Sequence, residues 1–549
     1  MQGRLSSKIT GFAAGLAILC LTWSFPSLIA QTGRSQEDAA DGNPPAAADY
    51  KRQAVLSFNN RDYEGALKHF RAVVRGDPND VESQDNIGVT LARLGRAKEA
   101  VAALLKAVEI DGRFSPAHYH LGLIYDRMGR TPEAVAQYQE ALQLNPAFTQ
   151  ARYALSGVCW RIGDLEGAVE LLQEVLAADS NSLEVRLNLA VGLWRNGDLD
   201  AAIEHLKTVK GLYPKEPRAH SALGQILVEK QDTDRAISAL ERVVELAPRD
   251  PEGHYNLGLA LRLNGEVGEA ERVLRQALEL KPDHALARRA LGLVLRQEGD
   301  LEGAASELRR AVADLPQDSM AHHNLGTVQL KLGRVDQAVH ELREAIRLDP
   351  YLLEAYYKLA QALHKAGQAE KARQVTKRAE QLSTEKAHAG RSINLLQAAL
   401  QHKESGDLEA ALDKLREATA LSSQLVAAQF QLAVTLRELH QETPETEKAL
   451  RRVLELQPGH ARAHHQLGRL LQQLGKTEEA VVELRTATRL APSLIEAHRA
   501  LGRLSLDLER WASAAAEFRA VLAWNPDDLA ARNDLATALE AVGKVEKSF

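Results

Sequence analysis

A period of 34 residues constrains this chain more than any other feature of its sequence. Residues 251–284, PEGHYNLGLALRLNGEVGEAERVLRQALELKPDH, show the unit. They read as two helices joined by a tight turn. Leu257, Leu261 and Leu263 give the first helix an apolar face, and Ala270, Val273, Leu274, Ala277 and Leu278 give one to the second. Gly265 stands where the first helix must stop, in the slot that takes left-handed backbone. Pro282 ends the second helix, because it has no N–H for the next helical bond. Gly258 and Ala270 are small where the two helices of one hairpin must approach. From Gly258 the small slot recurs at Gly88, Gly122, Ser156, Ala190, Gly224, Gly292, Gly326 and Ala360, and after an insertion at Ala399, Ala433, Gly468, Gly502 and Ala536. A single pair is too short to bury its own apolar faces, so each unit needs neighbours.

The recurring pattern is a His or aromatic, Leu-Gly, Ala, an aromatic or Leu, Ala and Pro. It resembles the tetratricopeptide repeat family over residues 47–543. The resemblance implies an all-α, right-handed superhelical α-solenoid of helix-turn-helix repeats, with the first helix of each unit lining the concave surface. Composition agrees: 45% hydrophobic but only 5% aromatic residues suits Leu/Ala helix packing, and runs of period-2 alternation that would argue for strands are missing. The net charge of −6 argues against nucleic-acid binding by bulk charge and leaves room for a local basic face.

The amino terminus reads as an export signal over residues 1–30. Arg4 and Lys8 precede an uncharged apolar run at 11–23, and Ala30 offers a small residue before a cut. The same stretch is long enough to serve as an uncleaved anchor, since about 20 residues span a bilayer. The expected location is therefore exported, periplasmic or secreted, with membrane anchoring through this segment as the alternative. Residues 31–46 read as a disordered linker. Repeats 1–10 occupy 47–380. Ala372 and Ala411 are 39 residues apart, so an insertion falls at 381–391, expected as an extended helix or an irregular joint. Repeats 11–14 follow at 392–528, with a one-residue insertion within 438–445. Residues 529–549 form a capping helix and tail. Of the two cysteines only Cys159 lies beyond the signal, in a slot that elsewhere holds Leu, and it reads as a buried thiol.

No catalytic constellation and no cofactor or metal site stands out from the periodic background, so the chain reads as a non-enzyme. His118, His220, His254, His322, His464 and His498 look like metal ligands, but all occupy one slot of the repeat and so sit a repeat apart. They read as packing residues. The family resemblance places binding on the concave face. There Tyr119, Tyr153, Trp160 and Trp194 are expected to form an aromatic patch. Asn86, Asn188, Asn256 and Asn324 are expected to form an interrupted amide ladder able to hold a peptide backbone. Arg462, Arg469, Arg499 and Arg503 predict a basic inner face in the last repeats, suited to an acidic partner. The function so read is an exported scaffold that binds an extended or helical segment of a protein partner in its groove, in assembly of envelope, pilus or polysaccharide machinery. The alternative is the targeting or regulatory subunit of a separate protein- or glycan-modifying transferase. Nucleic acid is not an expected partner, and the membrane is one only through an uncleaved amino terminus.

Overall fold

A computed structural model describes residues 46–440, 444–525 and 527–546. The stretch read as an export signal, nearly all of the stretch read as a linker, the tail at 547–549 and residues 441–443 of the one-residue insertion lie outside the described residues. Within them the chain forms 28 helices, from α1 (Ala46–Asn59) to α28 (Leu529–Glu546), and no strand. As far as α19 (Leu353–Lys365), odd-numbered helices are the first members of hairpins and even-numbered ones the second.

Two backbone devices make the hairpins. The first is a left-handed residue at the turn. Gly95, Gly129, Gly163, Gly197, Gly265, Gly299, Gly333, Gly367, Gly406 and Gly475 all have positive φ there. Where the slot lacks glycine the backbone still takes that form, at Arg61, Gln231, His440 and Glu509. A non-glycine residue pays roughly 1–2 kcal/mol for this, so the hairpin geometry, not the residue, dictates the conformation. The second device is an aspartate cap. Asp62, Asp164, Asp198, Asp232, Asp300 and Asp407 each accept a backbone N–H at the start of a second helix. Each such cap contributes about 1 kcal/mol.

The insertion at 381–391 is absorbed by an unbroken helix, not by an irregular break. α20 (Ala369–Glu404) runs for 36 residues and serves as the second helix of the tenth repeat and the first of the eleventh. The extra sequence LSTEKAHAGR contains no proline and only one glycine, so nothing in it stops a helix. Buried Ala379, Leu382, Ala389 and Ser392 tie the middle of α20 down, and Ser392 Oγ donates to Ala418 O over 2.7 Å.

Within each hairpin the small slot is a point of contact. A Cβ on Gly258 would lie 2.6 Å from Leu274 Cγ, and one on Gly292 would lie 2.6 Å from Leu308 Cγ. Leu274 and Leu308 are fully buried, as are Ala270 and Ala304 beside them. Tyr138 fills the same position against Gly122, and Phe518 against Gly502. Cys159 is buried without a disulfide, and burial pushes its thiol far above the ordinary range.

The helices divide into two compact units. One is the continuous run Arg186–Arg452. The other combines residues 46–185 with 453–546. In the first unit α11 (Pro217–Glu229), α13 (Pro251–Asn264), α15 (Ala285–Glu298), α17 (Ser319–Lys331) and α19 lie side by side, each first helix touching the next. No helix among the described residues is long and apolar enough to cross a membrane.

The close approach is testable on α13 and α14 (Val267–Leu280). Gly258→Ala should lower the unfolding free energy by about 1–3 kcal/mol, the cost of overpacking a filled core. Gly268→Ala, on the open side of α14 with nothing within 4 Å of its Cβ position, should be neutral or stabilising by up to about 1 kcal/mol. Urea unfolding of the two variants measures the difference. Equal losses would show that Gly258 is not a contact point.

Candidate partner-binding surfaces

The contiguous first helices of the Arg186–Arg452 unit present one wall. Its side chains come from fixed slots: Gln225 on α11, Asn256 and Arg262 on α13, Arg289 and Arg296 on α15, and His323, Asn324 and Thr327 on α17. Asn256 and Gln225 are each 1% exposed, and Asn324 is buried. Gln225 Nε2 donates to Ser221 Oγ over 3.3 Å, but Gln225 Oε1, Asn256 Oδ1, His323 Nδ1 and Thr327 Oγ1 have no hydrogen-bond partner. Burial, the largest influence on His323, lowers its pKa to about 4, with Arg296 and Lys358 acting in the same direction and Glu354 against it. The imidazole is therefore neutral at physiological pH. Buried polar atoms without partners are uncommon in proteins, and several on one wall mark it as unfinished.

The residues singled out from the sequence are distributed unevenly. Asn256 and Asn324 belong to this wall, whereas Asn86 and Asn188 are half-buried in other repeats. Tyr119 is a core side chain, 6% exposed and packed against Tyr138 and Phe148. Burial pushes its phenol up to about 12. Tyr119 therefore offers no open ring, because Phe148 at the next repeat's entrance covers it. Tyr153 is half-buried, and Trp160 packs on the edge of the same core. Trp194, in the Arg186–Arg452 unit, donates from Nε1 to Glu229 Oε2 over 2.7 Å.

The predicted basic face of the last repeats is largely neutralised. Arg462 donates to both carboxylate oxygens of Glu166, Arg499 pairs with Asp528, and Arg503 lies 3.3 Å from Asp534. Arg469 is exposed, with no carboxylate partner among the described residues. No three His, Cys, Asp or Glu side chains among the described residues converge as a metal would require.

Comparison with known sequences agrees with this architecture. The signature described as tetratricopeptide repeat matches residues 51–116, 119–182, 221–271, 255–319 and 499–548, and a second form of it matches 163–226 and 440–504. A signature described as TPR repeat matches 329–367. The chain belongs to the tetratricopeptide repeat family. It is a repeat scaffold for protein–protein interaction. Among solved structures, the APC/C hetero-tetramer Cut9–Hcn1 is 17% identical over 90% of this chain and 97% of that one, with a TM-score of 0.34. MamA (41-end) from Desulfovibrio magneticus RS-1 is 22% identical over 30% of this chain and 94% of that one, with a TM-score of 0.29. No curated protein matches the sequence.

The six slot histidines of these tetratricopeptide repeats do more than fill space. Nε2 of His118, His220, His254, His322, His464 and His498 bonds the backbone carbonyl six residues earlier, in the loop that enters the repeat, at 2.9–3.3 Å. Nδ1 then reaches across the hairpin to the residue 19 positions on: Gln137, Glu341, Glu483 and Glu517 for His118, His322, His464 and His498. Ala239 and Val273 stand at that offset from His220 and His254, and there Nδ1 has no partner. A ring can donate to a carbonyl and a carboxylate at once only when it carries both protons, and a glutamate brace is an ion pair in that state.

Within one unit the third and fourth repeats touch the last two full repeats. α6 (Thr131–Leu144) packs along α27 (Trp511–Trp524), and Trp524 lies against the core of the early repeats. At the edge of this contact Ser493 Oγ donates to Asp164 Oδ2 over 2.7 Å, beside the Arg462–Glu166 pair. Gly167 completes it: a Cβ there would lie 2.4 Å from Ser493.

Burial pulls the His464 pKa down, but the hydrogen bonds to Glu483 and Pro458 and the charge of Glu483 together carry it above the ordinary value, against Arg489. A raised folded pKa stabilises fully below the unfolded value of about 6.5 and is lost as pH rises through the folded value. The unfolding free energy of wild type relative to Glu483→Gln should therefore be largest near pH 6 and shrink toward pH 8 (approximate bounds). A pH-independent difference would exclude the charged brace.

This contact is checked with Arg462→Lys and zero-length carbodiimide coupling. The peptide containing residue 462 should be joined to the one containing Glu166. Adding Gly167→Arg should abolish the product, because the side chain would displace Ser493. Gly303→Arg should leave it intact, since Gly303 occupies the same slot, has its own Asp300 cap as nearest neighbour, and Arg235 fills that slot naturally after Asp232. Absence of the joined peptides in the R462K chain would rule the contact out.

Proposed function

We propose that this chain is a non-enzymatic, exported scaffold that holds an extended segment of a protein partner along the wall formed by α11, α13, α15, α17 and α19. The observation that carries the reading is the row of polar atoms left without partners on contiguous first helices: Gln225 Oε1, Asn256 Oδ1, His323 Nδ1 and Thr327 Oγ1. An amide or hydroxyl oxygen in such a row can accept from a main-chain N–H without reading the partner's side chains. Trp194 adds a ring at one end of the same unit, where it can take an apolar anchor. Export rests on Arg4, Lys8, the apolar run at 11–23 and Ala30. Assembly of envelope, pilus or polysaccharide machinery is the setting that such an exported array would serve.

Two measurements test this. Extended peptides selected from a random library should bind the full chain, and Asn256→Ala with Gln225→Ala should weaken different peptides alike, by about two- to tenfold for each lost hydrogen bond. Trp194→Ala should weaken only those with an apolar anchor. Peptides whose binding ignores all three substitutions would place the groove elsewhere. Intact mass of the protein recovered from the producing cell should begin after Ala30; a mass retaining residues 1–30 would favour the anchored form.

A further inference from the structure

Arg262 and Arg296 occupy equivalent slots on α13 and α15, four residues after Gly258 and Gly292. Both guanidinium groups are half-buried, and burial is the leading cause that lowers each pKa; for Arg262 the next cause is the charge of Arg296 itself. Neither has an Asp or Glu partner among the described residues. A carboxylate on this wall is already engaged: Arg289 Nη1 donates to Asp318 Oδ2 over 2.5 Å. Arg262 Nε is buried with no acceptor. Arginine does not shed its proton in proteins, so two like charges stand, partly desolvated, in equivalent slots of touching helices. Such a pair opposes folding unless an anion joins it.

The same wall also holds acceptors that no donor reaches. Asn256 Oδ1, Gln225 Oε1 and Thr327 Oγ1 are acceptors with nothing to accept from. A phosphodiester backbone brings negative oxygens but no N–H groups. An acidic polysaccharide brings carboxylates but no regular row of main-chain N–H groups. A polypeptide with acidic side chains supplies both missing halves: main-chain N–H for the amides and carboxylates for the guanidinium forks.

We propose that Arg262 and Arg296 form an anion site that receives acidic side chains of the partner segment, with Asn256 engaging its main chain. The proposal rests on the groove reading above and specifies the partner as acidic.

The probe is a fluorescein-labelled peptide of alternating Glu and Ala, titrated by anisotropy against the full chain. Wild type should bind it, and R262E/R296E should bind about ten- to a hundredfold more weakly, as expected for charge-assisted hydrogen bonds. R309E, an exposed site on α16 (Leu301–Asp314), should match wild type. In the absence of peptide, R262M/R296M should raise the thermal midpoint, because the change removes repulsion; a purely structural arginine pair would lower it. Equal affinity of R262E/R296E and wild type, or a lowered midpoint in R262M/R296M, would overturn the site. Tighter binding of polygalacturonate or of a single-stranded oligonucleotide at the same arginines would overturn the acidic peptide as its ligand. If library peptides still depend on Asn256 while the arginine variants change nothing, the groove reading stands and this site falls. If no peptide binds in either assay, both fall.

Discussion

Every hairpin in this chain depends on one residue being left-handed and one side chain being nearly absent. The left-handed residue turns the first helix back on itself, and the small slot lets a Leu, Tyr or Phe of the second helix lie against the backbone of the first. Neither works without the other, since the turn fixes which residues face and the small slot fixes how near they come. The four turns without glycine make the hierarchy plain: Arg61, Gln231, His440 and Glu509 are held in a conformation their own side chains disfavour. The stacking of neighbouring repeats supplies the free energy that holds them there.

The fold could be read from the sequence because both devices depend on residue type at a fixed spacing. Gly265, Gly258 and Ala270 each announce their role. The long helix α20 was legible in outline, from 39 residues between Ala372 and Ala411, but its continuity follows from what the insertion lacks, a proline. Exposure was less legible. Tyr119 and Tyr357 share a slot, yet Tyr119 is buried under Phe148 while Tyr357 is 45% exposed. Which slot a side chain occupies follows from the period; what covers it follows from the neighbouring repeat.

Partnership shows the same division. The histidine braces span a constant 19 residues, so the Glu or Gln at that offset was present in the sequence as a signal, one step beyond the 34-residue period. Asp528 and Asp534 stand 29 and 31 residues from the arginines they neutralise, again within reach of a repeat argument. Glu166 stands 296 residues from Arg462, and no local spacing could have paired them. Contacts between repeats that are neighbours in sequence are periodic and therefore readable; contacts between repeats far apart in sequence are not.

These contrasts also separate the two groups of arginines. Near the carboxy terminus the chain provides its own carboxylates, and the Arg462–Glu166 and Arg503–Asp534 pairs are exposed, where each is worth at most about 1 kcal/mol. Arg262 on α13 and Arg296 on α15 are partly buried, and no acid is provided for either among the described residues. In a solenoid, each unit's stability is shared chiefly with its immediate neighbours. A local deficit is therefore carried by the well-filled hairpins around it, with Leu274 and Leu308 fully buried beneath the same helices. Charges left unpaired above a core that is well packed below are the arrangement expected of a surface completed by something outside the chain.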